Sequence, residues 1–220
     1  MASTYDPRQE VNEVSNTLYD NNTVETSGKD VPSPIKDWSD IKLGMINLKK
    51  QNWFEKDSSL LKNIQDAKYA KPTSIQQHSI PIVAADRDLM GCAQTGSGKT
   101  AAFLIPIITK LLESNTYSKI SGNAAFPWVL VLAPTRELAA QISDESLKLS
   151  KGTHLKTVCV FGGVPIRAQI SSLVRGCEIL IATPGRLIDC MERGCVTLSH
   201  IRFLILGMTS VFFMKFWHII

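Results

Sequence analysis

The residues with the clearest chemistry are Ala93-Gln94-Thr95-Gly96-Ser97-Gly98-Lys99-Thr100, a glycine-rich turn that ends on Lys-Thr. Gly96 and Gly98 let the backbone turn tightly, so that successive N–H groups point at one anion. A helix starting at Lys99 presents its positive end to the same place. The Lys99 ammonium can then reach the β- and γ-phosphates of a nucleotide, and the Thr100 hydroxyl can ligate Mg²⁺. The common template opens on glycine and this loop opens on Ala93; the remainder matches. A plain strand-to-helix turn with a chance Lys-Thr is the bland alternative.

Four further strings carry polar groups at ordered spacing. Tyr69-Ala70-Lys71-Pro72-Thr73-Ser74-Ile75-Gln76 lies upstream. Pro72 and Thr73 read as a helix start, and the Gln76 amide can donate and accept at once, as an adenine edge requires. Downstream come Pro134-Thr135-Arg136-Glu137-Leu138-Ala139, then Gly162-Gly163, then Thr183-Pro184-Gly185-Arg186. Singly, each is an ordinary capping turn. Three in order, each after an apolar run, bring N–H groups, hydroxyls and arginines to one edge, where they can hold successive phosphates of a nucleic-acid strand without reading its bases.

The elements that must position these groups alternate. Apolar runs at Asp88–Cys92, Trp128–Ala133, Lys156–Phe161, Glu178–Ala182 and Arg202–Leu206 read as strands covered on both faces. Between them, Lys99–Glu113, Arg136–Ser150, Ile166–Arg175 and Gly185–Arg193 are long enough for crossover helices. The alternation predicts an α/β fold with a doubly wound parallel sheet, whose ligands sit at the carboxyl ends of the strands.

Composition is that of a globular domain with added polar sequence: 220 residues, 44% hydrophobic and 20% charged. Residues 1–37 hold seven acidic against three basic side chains and read as a disordered tail, which leaves the remainder with 21 basic against 13 acidic residues. A basic body suits a polyanionic partner. The five cysteines form no CxxC pair and no zinc spacing, which points to reduced thiols in cytoplasm or nucleus. No signal peptide is visible, and the apolar stretch from Phe203 to Met214 is too short for a membrane span.

Taken together, YAKPTSIQ, AQTGSGKT, PTRELA, GG and TPGR resemble the first RecA-like domain of DEAD-box ATP-dependent RNA helicases, over about residues 38–206. The stretch around Lys68-Tyr69 and Val160–Gly163 most resembles the Vasa/Belle-type subgroup, for which cytoplasm is the more usual location and the nucleus the alternative. The resemblance implies an ATP and Mg²⁺ site in which Tyr69, Thr73 and Gln76 recognise adenine, while Thr95, Gly96, Ser97, Gly98, Lys99 and Thr100 hold the phosphates and metal. It implies that Pro134, Thr135, Arg136, Gly162, Gly163, Thr183, Pro184, Gly185 and Arg186 face RNA. Such proteins couple ATP hydrolysis to local RNA unwinding between two domains of this kind.

Two departures stand out. The family stacks an upstream aromatic on adenine. Trp38 is assigned that place, with an insertion around residues 45–58 accounting for its distance from Tyr69; Phe54 is the other candidate. After Arg202–Leu206 the family continues Asp-Glu-Ala-Asp, and here Gly207-Met208-Thr209-Ser210 follows. The absent carboxylates would hold Mg²⁺ and activate water. The expectation is therefore a domain incomplete at its C-terminus that binds without turnover. Residues 207–220 are expected to form a divergent hydrophobic tail beside an open sheet edge, read past a splice junction or in a shifted frame. The chain would then be a competing nucleotide- and RNA-binding module, or a non-functional partial product.

Overall fold

The apolar runs pair into one sheet because each is too hydrophobic to leave either face in water. The computed structural model describes residues 24–41, 59–114, 119–121, 124–207 and 211–216. The strands are β1 (Leu89–Cys92), β2 (Lys119–Ser121), β3 (Ala124–Phe126), β4 (Val129–Leu132), β5 (Thr157–Val160), β6 (Ile179–Ala182), β7 (Phe203–Gly207) and β8 (Val211–Phe216). The helices are α1 (Ser59–Asp66), α2 (Ser74–Ala84), α3 (Lys99–Glu113), α4 (Arg136–Leu149), α5 (Ile166–Leu173) and α6 (Pro184–Glu192), with a 3₁₀ turn at Trp38–Ile41. Strands β2 and β3 form a separate short antiparallel pair.

The main sheet has the order β1-β8-β7-β4-β6-β5. Strands β7, β4, β6 and β5 are parallel, and their last residues are in register: Leu132 lies opposite both Leu206 and Ala182, and Val160 opposite Ala182. The loops leaving these strands therefore emerge side by side. On one face Val129, Val131, Ile179 and Ile205 pack under α1 to α4; on the other Leu130, Val158 and Leu180 pack under α5 and α6. Helix α3 is apolar nearly all round, with Leu104, Ile105, Ile107 and Ile108 at 0% exposure, as a helix sandwiched in a core must be.

Two expectations are corrected. The sheet is not wholly parallel, and the flank of β7 is not open: residues 211–216 form β8, antiparallel to β7 on one side and to β1 on the other. The reason is chain length. A parallel return needs a crossover of a dozen or more residues, and only three separate Gly207 from Val211, so the chain can come back only in the reverse direction. The sheet thus runs across the boundary expected after Leu206.

The acidic segment is not free up to residue 37. Ile35 is 1% exposed within the core and its N–H donates to the Gln77 carbonyl at 3.0 Å. The Arg87 guanidinium donates to the carbonyls of Lys29 and Asp30. One buried apolar side chain and a few backbone bonds hold an otherwise polar stretch. Residues 1–23 lie outside the described residues.

Candidate nucleotide and nucleic-acid site

The glycine-rich turn leaves β1 and enters α3 through two left-handed residues, Gly96 at φ 84° and Gly98 at φ 85°. Gly98 is the N-cap of α3, and no side chain caps the first turn. The turn borders a cavity of about 360 Å³ lined by Thr95, Gly96, Gly98, Lys99 and Thr100. The Lys99 ammonium folds back onto the turn, donating to the carbonyls of Ala93 at 2.6 Å and Gln94 at 2.5 Å. Partial burial lowers its pKa. The Ser97 hydroxyl is buried and has no hydrogen-bond partner.

An uncapped helix start and a nearby ammonium form a donor-rich concavity that fits a phosphate chain. Thr100 lines the same cavity, and the acidic residue on its wall is Glu145 of α4. Among the described residues no three His, Cys, Asp or Glu side chains are grouped to hold a metal. A divalent ion here would depend on the Thr100 hydroxyl, phosphate oxygens and water, a donor set that suits Mg²⁺.

The upstream string is tied directly to this turn. Thr73 is the N-cap of α2, and its hydroxyl donates to the Ser97 carbonyl at 2.8 Å. The Gln76 amide oxygen accepts from the Thr73 N–H at 2.9 Å, and its NH₂ donates to the Gly98 carbonyl at 3.2 Å. Gln76 is only 2% exposed. With no nucleotide present, the Gln76 amide edge expected to meet a base is turned to Thr73 and Gly98 and clasps the phosphate turn. The approach is so close that a Cβ on Gly98 would lie 2.4 Å from its Nε2.

Trp38 and Tyr69 stack on each other, with ring centroids 6.3 Å apart and planes inclined by 27°. Trp38 is held by the 3₁₀ turn, whose Asp40 carboxylate accepts from the N–H groups of Lys36 at 2.7 Å and Asp37 at 3.0 Å. Its indole N–H is buried without a partner. A second cavity of about 480 Å³ opens on this pair, bounded by Asp37, Leu61, Ile64 and Lys68. Tyr69 also lines the phosphate cavity, so it borders both. The Tyr69 hydroxyl donates to Glu145, and burial together with that carboxylate pushes its pKa up. Phe54 lies outside the described residues.

The other strings meet at the aligned ends of β4, β5 and β6. Pro134, Thr135, Arg136, Gly162, Thr183, Gly185 and Arg186 line one open cleft of about 570 Å³. Thr135 caps α4, its hydroxyl accepting from the Leu138 N–H at 3.2 Å. Thr183 starts α6 with Pro184 next, and no side chain caps the first turn. Gly163 has φ 83°, and a Cβ there would lie 1.9 Å from Arg136 Nη1. The bare backbone is what admits the exposed guanidinium of Arg136. Arg186 lines the same cleft and is also tied to its neighbours. Its guanidinium donates to Gln169 Oε1 at 2.9 Å and to the Val164 carbonyl at 3.1 Å, and its side chain is 11% exposed. These bonds fasten the β5–α5 loop and α5 to α6 at the wall of the cleft.

The model of the family described as DEAD/DEAH box helicase matches residues 73–207, more than half of the chain. The chain belongs to that family. Two solved structures are similar to it. The yeast DEAD-box splicing factor Prp28 is 33% identical with a TM-score of 0.68, covering 92% of this chain and 44% of that one. The RNA-helicase Prp28 from Chaetomium thermophilum, bound to ADP, is 34% identical with a TM-score of 0.69, covering 94% and 45%. The chain thus spans less than half the length of either. Its α/β sheet is the first RecA-like domain of DEAD-box helicases, with β8 as a strand running against the parallel set.

Eight residues lining the phosphate cavity were not singled out from sequence as part of the site, Glu145, Gly207 and Phe212 among them. Glu145 sits inside α4, where the helical period places it one turn beyond Gln141 on the same wall. Gly207 and Phe212 belong to the β7–β8 pair. Their sequence signal was two apolar runs separated by a short segment ending in Ser210, which is a hairpin pattern.

Proposed function

We propose that this chain is the nucleotide- and RNA-holding domain of an ATP-dependent RNA helicase, taking ATP with Mg²⁺ in the Gly96–Thr100 cradle and the backbone of single-stranded RNA in the cleft at β4, β5 and β6. The observation that carries this reading is the placement of both concavities on one edge of the sheet, joined by one helix. Helix α4 begins in the cleft with Thr135 and Arg136 and reaches the phosphate cavity at Glu145. Bound Mg²⁺ would offset charge on the β- and γ-phosphate oxygens. Lys99, released from its two carbonyls, would reach the same oxygens, while Gln76 and Thr73 keep the turn open. The space beside the Trp38–Tyr69 stack accommodates a planar base. In the cleft, Arg136 and the uncapped start of α6 contact phosphates and no base edge, so binding is independent of sequence.

Turnover by this chain is not expected. Where DEAD-box helicases place two carboxylates after β7, Gly207-Met208-Thr209-Ser210 provides none. RNA unwinding belongs to proteins in which a second domain completes the site.

The test is titration of a fluorescent ATP analogue in Mg²⁺ buffer and of a labelled single-stranded RNA, with phosphate release followed in parallel. The expected result is saturable binding of both ligands and no RNA-stimulated phosphate release. Soluble protein that binds no adenine nucleotide would overturn the reading, and RNA-stimulated release would overturn its non-catalytic part.

A further inference from the structure

Strand β1, which delivers the chain into the phosphate turn, lies at the edge of the sheet. Among the described residues its ladder partner is β8, through the pairs Leu89–Met214, Met90–Phe213, Gly91–Phe212 and Cys92–Val211. The connection from β1 to the parallel core therefore runs entirely through β8. Directly opposed residues of an antiparallel pair share a face, so Phe212 and Met214 point to the layer of α2 and α3. They are 1% and 0% exposed, as core residues are and a loose tail is not.

Phe212 fits one place closely. A Cβ on Gly91 would lie 2.5 Å from its Cε1 and 2.7 Å from its Cζ, so the ring occupies the volume that any other residue at position 91 would need. On its other side it packs against Phe103 of α3, with centroids 5.6 Å apart and planes inclined by 52°. Both rings line the phosphate cavity with Gly96, Gly98, Lys99 and Thr100. One side chain thus touches the strand before the turn, the helix after it and the cavity between them.

We infer that Phe212 is a positioning residue for the phosphate turn, and that residues 211–216 act as a built-in splint setting the spacing between β1 and α3. A loop whose amides must converge on one anion depends on where its two arms are anchored, and among the described residues one arm has no other sheet support. The inference rests on the nucleotide reading above for its functional consequence, but its geometric content stands separately.

The experiment compares the full chain with Phe212→Ala, Phe212→Leu, Gly91→Ala and the Gly91→Ala/Phe212→Ala double variant. Three measurements are made: ATP-analogue affinity, single-stranded RNA affinity, and amide hydrogen exchange across residues 89–100. Phe212→Ala is expected to weaken nucleotide binding roughly tenfold or more, as misplacement of a binding group does. RNA affinity should stay within about twofold, because the β4–β6 register is untouched. Phe212→Leu should restore most of the loss. Gly91→Ala should weaken nucleotide binding through overlap with the ring, and the double variant should lose less than the product of the two single effects, because removing the ring removes the overlap. Exchange over 89–100 should quicken selectively in Phe212→Ala.

A wild-type chain that binds nucleotide beside a folded Phe212→Ala that binds equally well would overturn the inference. So would single effects that simply multiply. If the wild type binds no nucleotide, the proposed function fails and the exchange data decide this point: unchanged or uniformly raised exchange rules the splint out. Should Phe212→Ala not fold, Phe212→Leu and Gly91→Ala carry the same comparison.

Discussion

The two ends of the sheet's ligand-binding edge are built differently. The cleft sits over β4, β6 and β5, parallel strands locked in register, with β4 flanked on both sides by core strands. Its exposed cation, Arg136, rests on glycine backbone and projects from a capped helix start. The phosphate cradle hangs from an edge strand that touches the sheet through β8 alone among the described residues. Its polar groups are already tied inward, with Lys99 on two carbonyls and Gln76 and Thr73 on the turn itself. One site is ready-made by the sheet; the other must exchange internal bonds for ligand bonds. Nucleotide affinity should therefore respond to changes throughout β1, α2 and β8, and RNA affinity only to changes in the cleft.

The largest expected effect that could break this contrast is Lys99→Ala. Removing an ammonium that makes charge-assisted bonds, each about 1.5–3 kcal/mol, should weaken ATP-analogue binding about a hundredfold. RNA binding measured without nucleotide should not change; a parallel loss of both would merge the two sites into one.

Next is Gln76→Ala, which releases the clasp on Gly98 and leaves the part-buried Thr73 N–H without its acceptor. A loss of about 1–3 kcal/mol is expected, seen as lower nucleotide affinity and a lower melting temperature. Equal affinity for adenine and guanine nucleotides before and after the change would fit a clasp, whereas loss of adenine preference alone would return Gln76 to reading the base.

In the cleft, Arg136→Ala should weaken single-stranded RNA binding by about 1–2 kcal/mol and reduce the salt slope by about one phosphate contact. Gly163→Ala should act in the same direction through strain at positive φ and displacement of the guanidinium, while ATP-analogue titrations of both variants overlay the wild type. The smallest effect concerns Cys159, whose thiol burial pushes up to about 11 from an ordinary 9.0. The folded chain holds that proton more tightly than the unfolded one. The contribution is complete below pH 9 and is lost as pH rises toward 11. Urea midpoints at these two pH values, compared with Cys159→Ala, should reveal a difference on the order of 1 kcal/mol or less after allowing for the thiol's partial exposure.

Much of the core was legible in the sequence because its signals are local. Lys99–Glu113 was marked as helix by a turn at one end and a continuous apolar run, and the structure keeps those bounds. Thr135 and Thr183 were legible as helix starts for the same reason. What escaped depends on partners far apart in the chain. The bond from Gln76 to the turn depends on Gly98 coming within reach of its amide, and nothing in YAKPTSIQ encodes that distance. Ile35 is one apolar residue among polar neighbours, and only its docking beside Gln77 makes it core. The Val211–Phe216 run had strand composition, but its meaning depends on a vacancy between β1 and β7 that only the assembled sheet defines.

The alternation in β8 carries its own proofreading. Phe212 and Met214 are buried, while Lys215 is exposed. Shifting the strand by a single residue would exchange its faces, driving an ammonium into the layer beneath and turning both large apolar groups toward water. Misaligned hairpins are therefore penalised by charge as well as by shape, so an insertion or deletion of one residue between Gly207 and Val211 should be far more damaging than most substitutions in the same stretch.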